Sequence, residues 1–265
     1  LMTVHRHPKE FSGLSSSLGG QAKKQNIMNS LGWSPLLPPD EVKTRVLSHL
    51  AHEGHHIWFM YAFNLNEGVY WWSEGVTEYI SQKALYELGF ISEEEFQRDL
   101  IQKFIAYNSL SIRNDVDLVQ ATRVPDPTEE ETSLQYDKGA LVAYLLDQRL
   151  QARGQNIEIL LTDFYRSYAL TQKPIDNQEL VNYIDSYLGE SSFTEDYVLG
   201  TKQLPLSEFN FGWHYYWGTI ERYLPPVPFP YNVLIPLVAI FVILAAGRLI
   251  YKVILARILS RRLKQ

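Results

Sequence analysis

The most constraining feature of this sequence is His52-Glu53-Gly54-His55-His56, which lies within the stretch Leu47 to Phe59. It has the form H-E-x-x-H, in which the outer histidines are separated by one turn of a helix. In an α-helix of about 3.6 residues per turn, His52 and His56 lie one above the other on the same face. Two imidazoles held in this way can share one metal ion, with Glu53 next to the first of them. The motif therefore predicts a helix with a metal-binding face.

A third ligand is expected downstream, in Trp71-Trp72-Ser73-Glu74-Gly75-Val76-Thr77-Glu78-Tyr79. A catalytic zinc ion takes three protein ligands and leaves a further position open for water. Because the chain has no cysteine, histidine and carboxylate must supply these ligands, and Glu74 is the candidate third one. Glu78 lies on the same helical face as Glu74 and could accept the second N–H of a ligating histidine. The alternatives are a polar helix face for the histidines and a solvated helix residue for Glu78.

Apolar periodicity predicts a mainly α (α+β) chain, with helices from about residue 40 to residue 200. Residues 1–39 are rich in Gly, Ser and Pro and are expected to be irregular or to form a β edge of the helical domain. Within them, Gly19, Gly20 and Gln21 could belong to a strand beside the site, where glycines let a substrate backbone approach. An ordinary glycine loop is the alternative.

Several segments carry helical spacing or capping signals. The predicted helices are Val42 to about Tyr61, Trp71 to Leu88, a helix after Ser92 to about Asn108, Tyr136 to Arg153, Ile157 to Leu170, Asn177 to Leu188, and a short one after Thr194. Residues 109–132 are expected to be mostly irregular, and their acidic end to be solvated. The alternative for that acidic end is a cleft lining that favours basic substrates.

The C-terminal part has the composition of a membrane anchor. Residues 201–230 form an aromatic and proline-rich linker, and 231–252 are apolar and long enough for a transmembrane helix, which needs about 20 residues. The basic tail 253–265 then marks the cytoplasmic side, so the residues before the span are expected to be extracytoplasmic. A buried core helix, interrupted by Pro236, is the alternative. An anchor without a signal sequence would instead leave the head in the cytosol.

The net charge of the chain limits its binding partners, and its first residues indicate whether a signal peptide is present. Residues 1–247 carry 18 basic against 30 acidic residues, which argues against nucleic acid as a partner. Leu1 to Pro8 lack the apolar core of a signal peptide. The sequence is therefore expected to be a fragment or a processed form of a longer chain.

The residues resemble the gluzincin metallopeptidases. The motifs of the zinc helix, of Trp71 to Tyr79, of the helix start at Ile91 to Phe96 and of Tyr136-Asp137-Lys138-Gly139-Ala140 follow in that family's order. The chain looks most like the glycyl-aminopeptidase-like family, with the aminopeptidase N and leukotriene-hydrolase family as a close relative. The resemblance implies a thermolysin-like catalytic domain, with a small N-terminal β portion and a helical lobe. It covers roughly Gly19 to Gly189.

Carried over by position, the resemblance implies one Zn²⁺ per chain on His52, His56 and Glu74. It also implies Glu53 as general base and Tyr136 as the stabiliser of the tetrahedral intermediate. From the residues alone, Tyr136 could equally be a buried core tyrosine with a satisfied hydroxyl. The relatives typically place a glutamate just after the upstream glycines to bind a substrate's α-amino group. The segment Gly19-Gly20-Gln21 has no such acid, so aminopeptidase specificity does not follow.

The sequence thus predicts a membrane-anchored zinc metallopeptidase that acts on a peptide or protein substrate. Two other functions remain open at this point. One is a catalytically silent zinc scaffold or binding module at the membrane, which would keep the metal for stability. The other is the hydrolysis of a non-peptide substrate. A soluble protein in which 231–265 pack on the domain is a further alternative to the anchor.

Overall fold

A computed structural model of the chain describes residues 3–6, 18–23, 26–31, 39–66, 68–123, 126–209 and 211. The chain divides into two units, Leu1–Tyr215 and Tyr216–Gln265, and the described residues all belong to the first. The predicted transmembrane helix 231–252 and the basic tail 253–265 lie outside the described residues. Among the helices that the structure describes, none has both the length and the apolar character needed to cross a bilayer.

A three-stranded sheet precedes the helices. Its strands are β1 (Thr3–Arg6), β2 (Leu18–Lys23) and β3 (Asn26–Leu31), in the order β1-β3-β2. Strand β3 pairs in parallel with β1 and antiparallel with β2, so β2 is an edge of the sheet. Gly19, Gly20 and Gln21 therefore belong to an edge strand.

Three long helices follow, and their ends agree closely with the predicted ones. Helix α1 spans Pro39–Ala62 and contacts both β2 and β3; α2 spans Tyr70–Glu87, and α3 spans Glu93–Ser109. Gly89, just beyond α2, has a φ of +74°, which favours glycine at the end of a helix. Ser92 and Glu95 form the predicted capping box at the start of α3. The structure thus confirms these capping signals.

The second half of the unit is also helical. It contains a 3₁₀ turn (Ser111–Asn114), α4 (Leu118–Thr122), α5 (Glu129–Ser133), a π-helical turn (Leu134–Lys138), α6 (Gly139–Gln151), α7 (Ile157–Phe164), a second π-helical turn (Tyr165–Ala169), α8 (Asn177–Leu188) and α9 (Ser192–Tyr197). The two-residue strands β4 (Asn64–Leu65) and β5 (Pro174–Ile175) pair in parallel. Residues 109–132 are thus more helical than predicted, because short capped turns escape an analysis of periodicity.

Helix α2 lies at the centre of the unit. It packs between α1 and α6, and 11 of its residues are buried, including Trp71 and Trp72. The N-terminal end of α2 is fixed by Asn177 of α8. The amide of Asn177 accepts a hydrogen bond from Trp71 Nε1 at 2.8 Å and donates one to the Gly68 carbonyl at 2.7 Å. This buried anchoring holds the segment that carries Glu74 in one position.

Candidate metal centre

Three predicted ligands converge between α1 and α2. His52 Nε2 lies 2.9 Å from His56 Nε2, and Glu74 Oε2 lies 3.3 Å from the first nitrogen and 3.2 Å from the second. The two histidines come from one face of α1, and Glu74 comes from the first turns of α2. All three side chains are largely buried. The structure therefore brings His52, His56 and Glu74 together in a triangle of potential ligand atoms.

The chemistry of this triangle suits a zinc ion. Ligand atoms at about 2.0–2.1 Å from one tetrahedral zinc lie ~3.3 Å from one another, close to the separations in the triangle. Hydrogen bonds alone satisfy the arrangement poorly, because two imidazole N–H groups directed at one carboxylate oxygen would face each other at 2.9 Å. A shared cation resolves this conflict, since all three atoms then offer lone pairs to it. The residues present thus fit the metal that the sequence predicts.

The electrostatics of the site tie the ligands to one another. Burial alone would lower the pKa of His52, but Glu74 and Glu78 outweigh it and raise that pKa above its ordinary value. Burial alone would raise the pKa of Glu74, but hydrogen bonds from His52 and His56 hold it below the usual range. Without a metal the site therefore favours a protonated imidazole beside a carboxylate. A zinc ion must displace that proton in order to bind.

Glu78 lies behind the ligands, at the position where an orienting carboxylate was predicted. Its Oε1 is 3.1 Å from His52 Nδ1, the ring nitrogen that faces away from the triangle. A carboxylate there holds the ring in the tautomer that leaves Nε2 free for a metal. Burial alone would raise the pKa of Glu78, but Lys103 and His52 keep it well below the ordinary value. Glu78 is therefore an ionised partner of His52 rather than a solvated helix residue.

The two predicted histidine ligands have different surroundings. Neither His52 Nδ1 nor His56 Nδ1 makes a well-aligned hydrogen bond among the described residues, but Glu78 Oε1 lies 3.1 Å from His52 Nδ1. His55, between the two, pairs instead with Thr77 Oγ1 at 2.8 Å and so links α1 to α2. Burial, with the nearby His56 and His52, lowers the pKa of His55 to about 3. His55 is thus a neutral structural residue. The carboxylate that contacts a predicted ligand from behind is Glu78, which lies beside His52.

Tyr136 reaches the same site from the opposite direction. Its ring stacks on that of His52, with centroids 6.0 Å apart and an angle of 14° between the planes. The hydroxyl is hydrogen-bonded to Glu74, and burial together with the charges of Glu74, Glu78 and Glu53 raises its pKa. Tyr136 therefore stays protonated at neutral pH and keeps a proton to donate.

A π-helical turn places this tyrosine. Tyr136 does not open a helix, as the sequence predicts, but lies in the π turn that joins α5 to α6. A π turn inserts an extra residue into a helix, and such turns often occur at functional sites. The wider turn changes which residues face α2. Periodicity of apolar residues cannot locate such a turn, which explains the difference.

Glu53 completes the group. It follows His52 on α1, and its side chain is only 6% exposed. Its charge is one of the contributions that raise the pKa of Tyr136, after burial and the effect of Glu74. The structure therefore brings Tyr136 together with the three potential ligands, and Glu53 directly follows the first of them in α1. Gly19, Gly20 and Gln21 belong to β2, which contacts α1, and their role in substrate binding stays a prediction.

Lys103 is a residue of the site that the sequence did not single out. It lies on α3, with Nζ 3.2 Å from Glu78 Oε2 and 2.9 Å from Asp99 Oδ1. Asp99 and Lys103 have the spacing of an ordinary surface pair on a helix. Only the packing of α3 against the π turn and α2 shows that the pair faces the metal centre. No sequence signal distinguishes it from the exposed pair of Glu94 and Arg98.

Comparisons with known proteins address the fold. No family profile matches the chain, and no curated protein matches it. Among solved structures, the chain is similar to an aminopeptidase N family protein from Idiomarina loihiensis, with a TM-score of 0.64 and 17% identity. The similarity covers 78% of this chain and 39% of that protein, so this chain spans well under half of its length. At this identity the likeness shows the fold alone, a mostly helical aminopeptidase-like domain, and it agrees with the aminopeptidase N alternative at the level of the fold.

Proposed function

We propose that this chain is a zinc-dependent metallopeptidase that hydrolyses peptide bonds. The observation that carries the proposal is the convergence of His52 Nε2, His56 Nε2 and Glu74 Oε2 within 3.3 Å of one another. Glu53 and Tyr136 beside them supply a general base and a hydrogen-bond donor. The aminopeptidase-like fold adds support, because it is the scaffold on which the resembled families carry such a site.

Zinc, when bound, would polarise the scissile carbonyl and make a water acidic enough to attack it near neutral pH. His52, His56 and Glu74 would hold the ion. Glu53 takes a proton from the attacking water and passes it to the leaving amine. Its buried position next to His52 keeps the carboxylate within the site rather than in bulk solvent.

Tyr136 acts on the substrate carbonyl oxygen. Its hydroxyl is held at the site by Glu74, and the raised pKa keeps it protonated. A protonated phenol can donate a hydrogen bond to the oxygen as negative charge develops there. Glu78 keeps the His52 ring oriented through Nδ1. Each of these actions belongs to a side chain whose position the fold fixes.

For the cellular setting we propose the arrangement that the sequence predicts. Residues 231–252 would cross the membrane once, with the basic tail in the cytoplasm and the catalytic unit outside it. Apolar length and the distribution of Lys and Arg support this part of the proposal. A protease-protection assay on sealed vesicles tests it. Digestion of the catalytic unit from the cytoplasmic face would contradict it.

The enzymatic proposal is tested on the full chain, purified in detergent, beside its Glu53→Gln variant. We expect about one zinc per chain in both, and chelator-sensitive cleavage of a peptide library only in the unchanged chain. Loss of the general base should lower turnover by about 10²–10⁴. Bound zinc without peptide cleavage would favour the silent scaffold or a non-peptide substrate. A chain that takes up no zinc would overturn the proposal.

A further inference from the structure

Lys103 forms the far end of a charged row that begins at the metal centre. His52 Nδ1 lies 3.1 Å from Glu78 Oε1, and Glu78 Oε2 lies 3.2 Å from Lys103 Nζ. Lys103 also pairs with Asp99 of the same helix at 2.9 Å. The two oxygens of Glu78 are thus divided between the imidazole and the ammonium group. The row connects a potential zinc ligand on α1 to a lysine on α3 through one carboxylate of α2.

This row is shielded from solvent. The side chains of Lys103, Glu78 and His52 are 13%, 23% and 12% exposed. Asp137, next to Tyr136, is also close enough for its charge to act on Lys103. Lys103 is therefore the cation around which Glu78, Asp99 and Asp137 gather. Among the described residues, the ion pairs of Glu78 are with His52 and Lys103.

The geometry gives Lys103 a definite task. A carboxylate in a shielded site keeps one orientation when a nearby cation or hydrogen bonds hold it. The ion pair with Lys103 engages Oε2 of Glu78, so Oε1 remains for His52. A carboxylate placed behind a ligating histidine orients that histidine and strengthens its binding to the metal. Glu78 Oε1 lies 3.1 Å from His52 Nδ1, so this support bears on His52.

We propose that Lys103 is a positioning residue of the metal centre, which holds the carboxylate of Glu78 in place against His52 and so strengthens zinc binding. The inference rests on the zinc site of the proposed function. It goes further in assigning a long-range role to a lysine that touches neither the metal ligands nor the substrate. Lys103 acts only through Glu78.

A double-mutant cycle on zinc affinity tests this role. Zinc dissociation constants are measured by competition with a chromophoric chelator for the full chain and for Lys103→Met, Glu78→Gln and the double variant. We expect Glu78→Gln to weaken zinc binding by about 10–100-fold, the usual effect of losing such a partner. Lys103→Met should weaken it by about tenfold in the original chain but have almost no effect once Glu78 is replaced, because coupled residues are not additive.

Lys83 provides a matched control. It is also a largely buried lysine, 11% exposed, and pairs with the fully buried Asp147 at 2.9 Å. Its partners Asp147, Glu158 and Glu87 are not part of the row that reaches His52. Lys83→Met therefore loses a comparable ion pair away from the metal centre. It should lower thermal stability but leave the zinc dissociation constant within about twofold, as distant sites act independently.

Asp99→Asn covers the case in which Lys103→Met fails to fold. This variant keeps Lys103 but removes the carboxylate that competes with Glu78 for it. Zinc affinity should then be unchanged or higher, whereas general damage to the network would lower it.

The outcomes separate this inference from the proposed function. Fully additive effects of Lys103→Met and Glu78→Gln, or weaker zinc binding in Asp99→Asn, would overturn the role of Lys103 and leave the peptidase proposal intact. If the effects of Lys103→Met and Glu78→Gln on zinc affinity are coupled but the chain cleaves no peptide, the positioning role of Lys103 is supported and the peptidase proposal is contradicted. A chain that binds no zinc would overturn both.

Discussion

Gly75 and Gly139 touch across the packed helices α2 and α6. A Cβ on Gly75 would lie 2.5 Å from both the Cα and the carbonyl carbon of Gly139, and one on Gly139 would lie 2.9 Å from the Gly75 Cα. Glu74 immediately precedes the first glycine, and Tyr136 lies three residues before the second. The close backbone contact therefore fixes how near the tyrosine comes to the third ligand. It gives a physical reason for a glycine in each of the two motifs.

Gly139→Ala should separate the helices and loosen the site. Overpacking of this kind typically costs about 1–3 kcal/mol of unfolding free energy, and the shift of Tyr136 should lower kcat/KM. Urea unfolding and peptide kinetics measure the two effects. Gly54→Ala is the control, because a Cβ there meets nothing within 4 Å, and alanine is favoured over glycine in a helix by about 0.5–1 kcal/mol. Equal stability of the Gly139 variant would contradict the close contact.

Tyr136→Phe should retain zinc and lose most activity. The phenylalanine keeps the stacking on His52 but removes the donor for the developing oxyanion, which typically costs about 10²–10³ in kcat. Zinc content is checked by atomic absorption and turnover by peptide cleavage. Tyr183→Phe is a suitable comparison, since its hydroxyl donates to the Leu160 carbonyl away from the site. Full turnover in Tyr136→Phe would remove the tyrosine from the mechanism.

The sequence predicted those parts of the molecule that depend on local signals. The spacing of His52 and His56 and the capping box at Ser92 are determined within one or two helical turns, so each could be recognised from neighbouring residues. Glu74 could be proposed as a third ligand because zinc needs one more ligand and a helical glutamate follows the two histidines, and the family resemblance implies the same residue. For this reason the predicted ligands and the outer carboxylate lie in one place, and the predicted general base directly follows the first ligand in α1.

The parts that the sequence could not predict depend on distant contacts. Lys103 and Asp99 have the spacing of a surface pair, and only the packing of three helices buries them. The π turn at Leu134–Lys138 breaks the period on which helix prediction relies. Likewise, the contact of Gly75 with Gly139 joins residues far apart in the chain. In each case the deciding interaction is tertiary, and local pattern carries no information about it.

Zinc should raise the thermal stability of the chain. Its ligands come from α1 and α2, so the ion would link the two helices in the folded state. At a free zinc concentration about 100 times the dissociation constant, the expected gain is ~2.7 kcal/mol. Calorimetry with zinc and with a chelator measures the change in Tm. His56→Ala should abolish most of the response, and a zinc-dependent increase of equal size in that variant would show that the metal binds elsewhere.

Lys138 should make stability depend on pH above neutrality. Its side chain is fully buried, and Nζ donates to the Gly200 carbonyl at 3.3 Å. Burial lowers the pKa of Lys138 to about 8 from an ordinary value of 10.5, with Asp117 opposing the change only in part. Between these two pH values the unfolded chain binds more protons than the folded chain. The free energy of unfolding therefore rises with pH in this window, and the gain is lost as the pH falls through about 8.

The variant Lys138→Met isolates this contribution. At about 1.4 kcal/mol per unit of pKa, the full rise is on the order of 3 kcal/mol. Urea unfolding of both metal-free chains at several pH values between about 7 and 9.5 gives the difference in unfolding free energy, in which the titrations of other groups cancel. The free energy of unfolding of the original chain should increase relative to that of the variant as the pH rises. Only the original chain carries a buried ammonium group that can lose its proton. A difference that stays constant across this range would mean that Lys138 keeps an ordinary pKa in the folded chain.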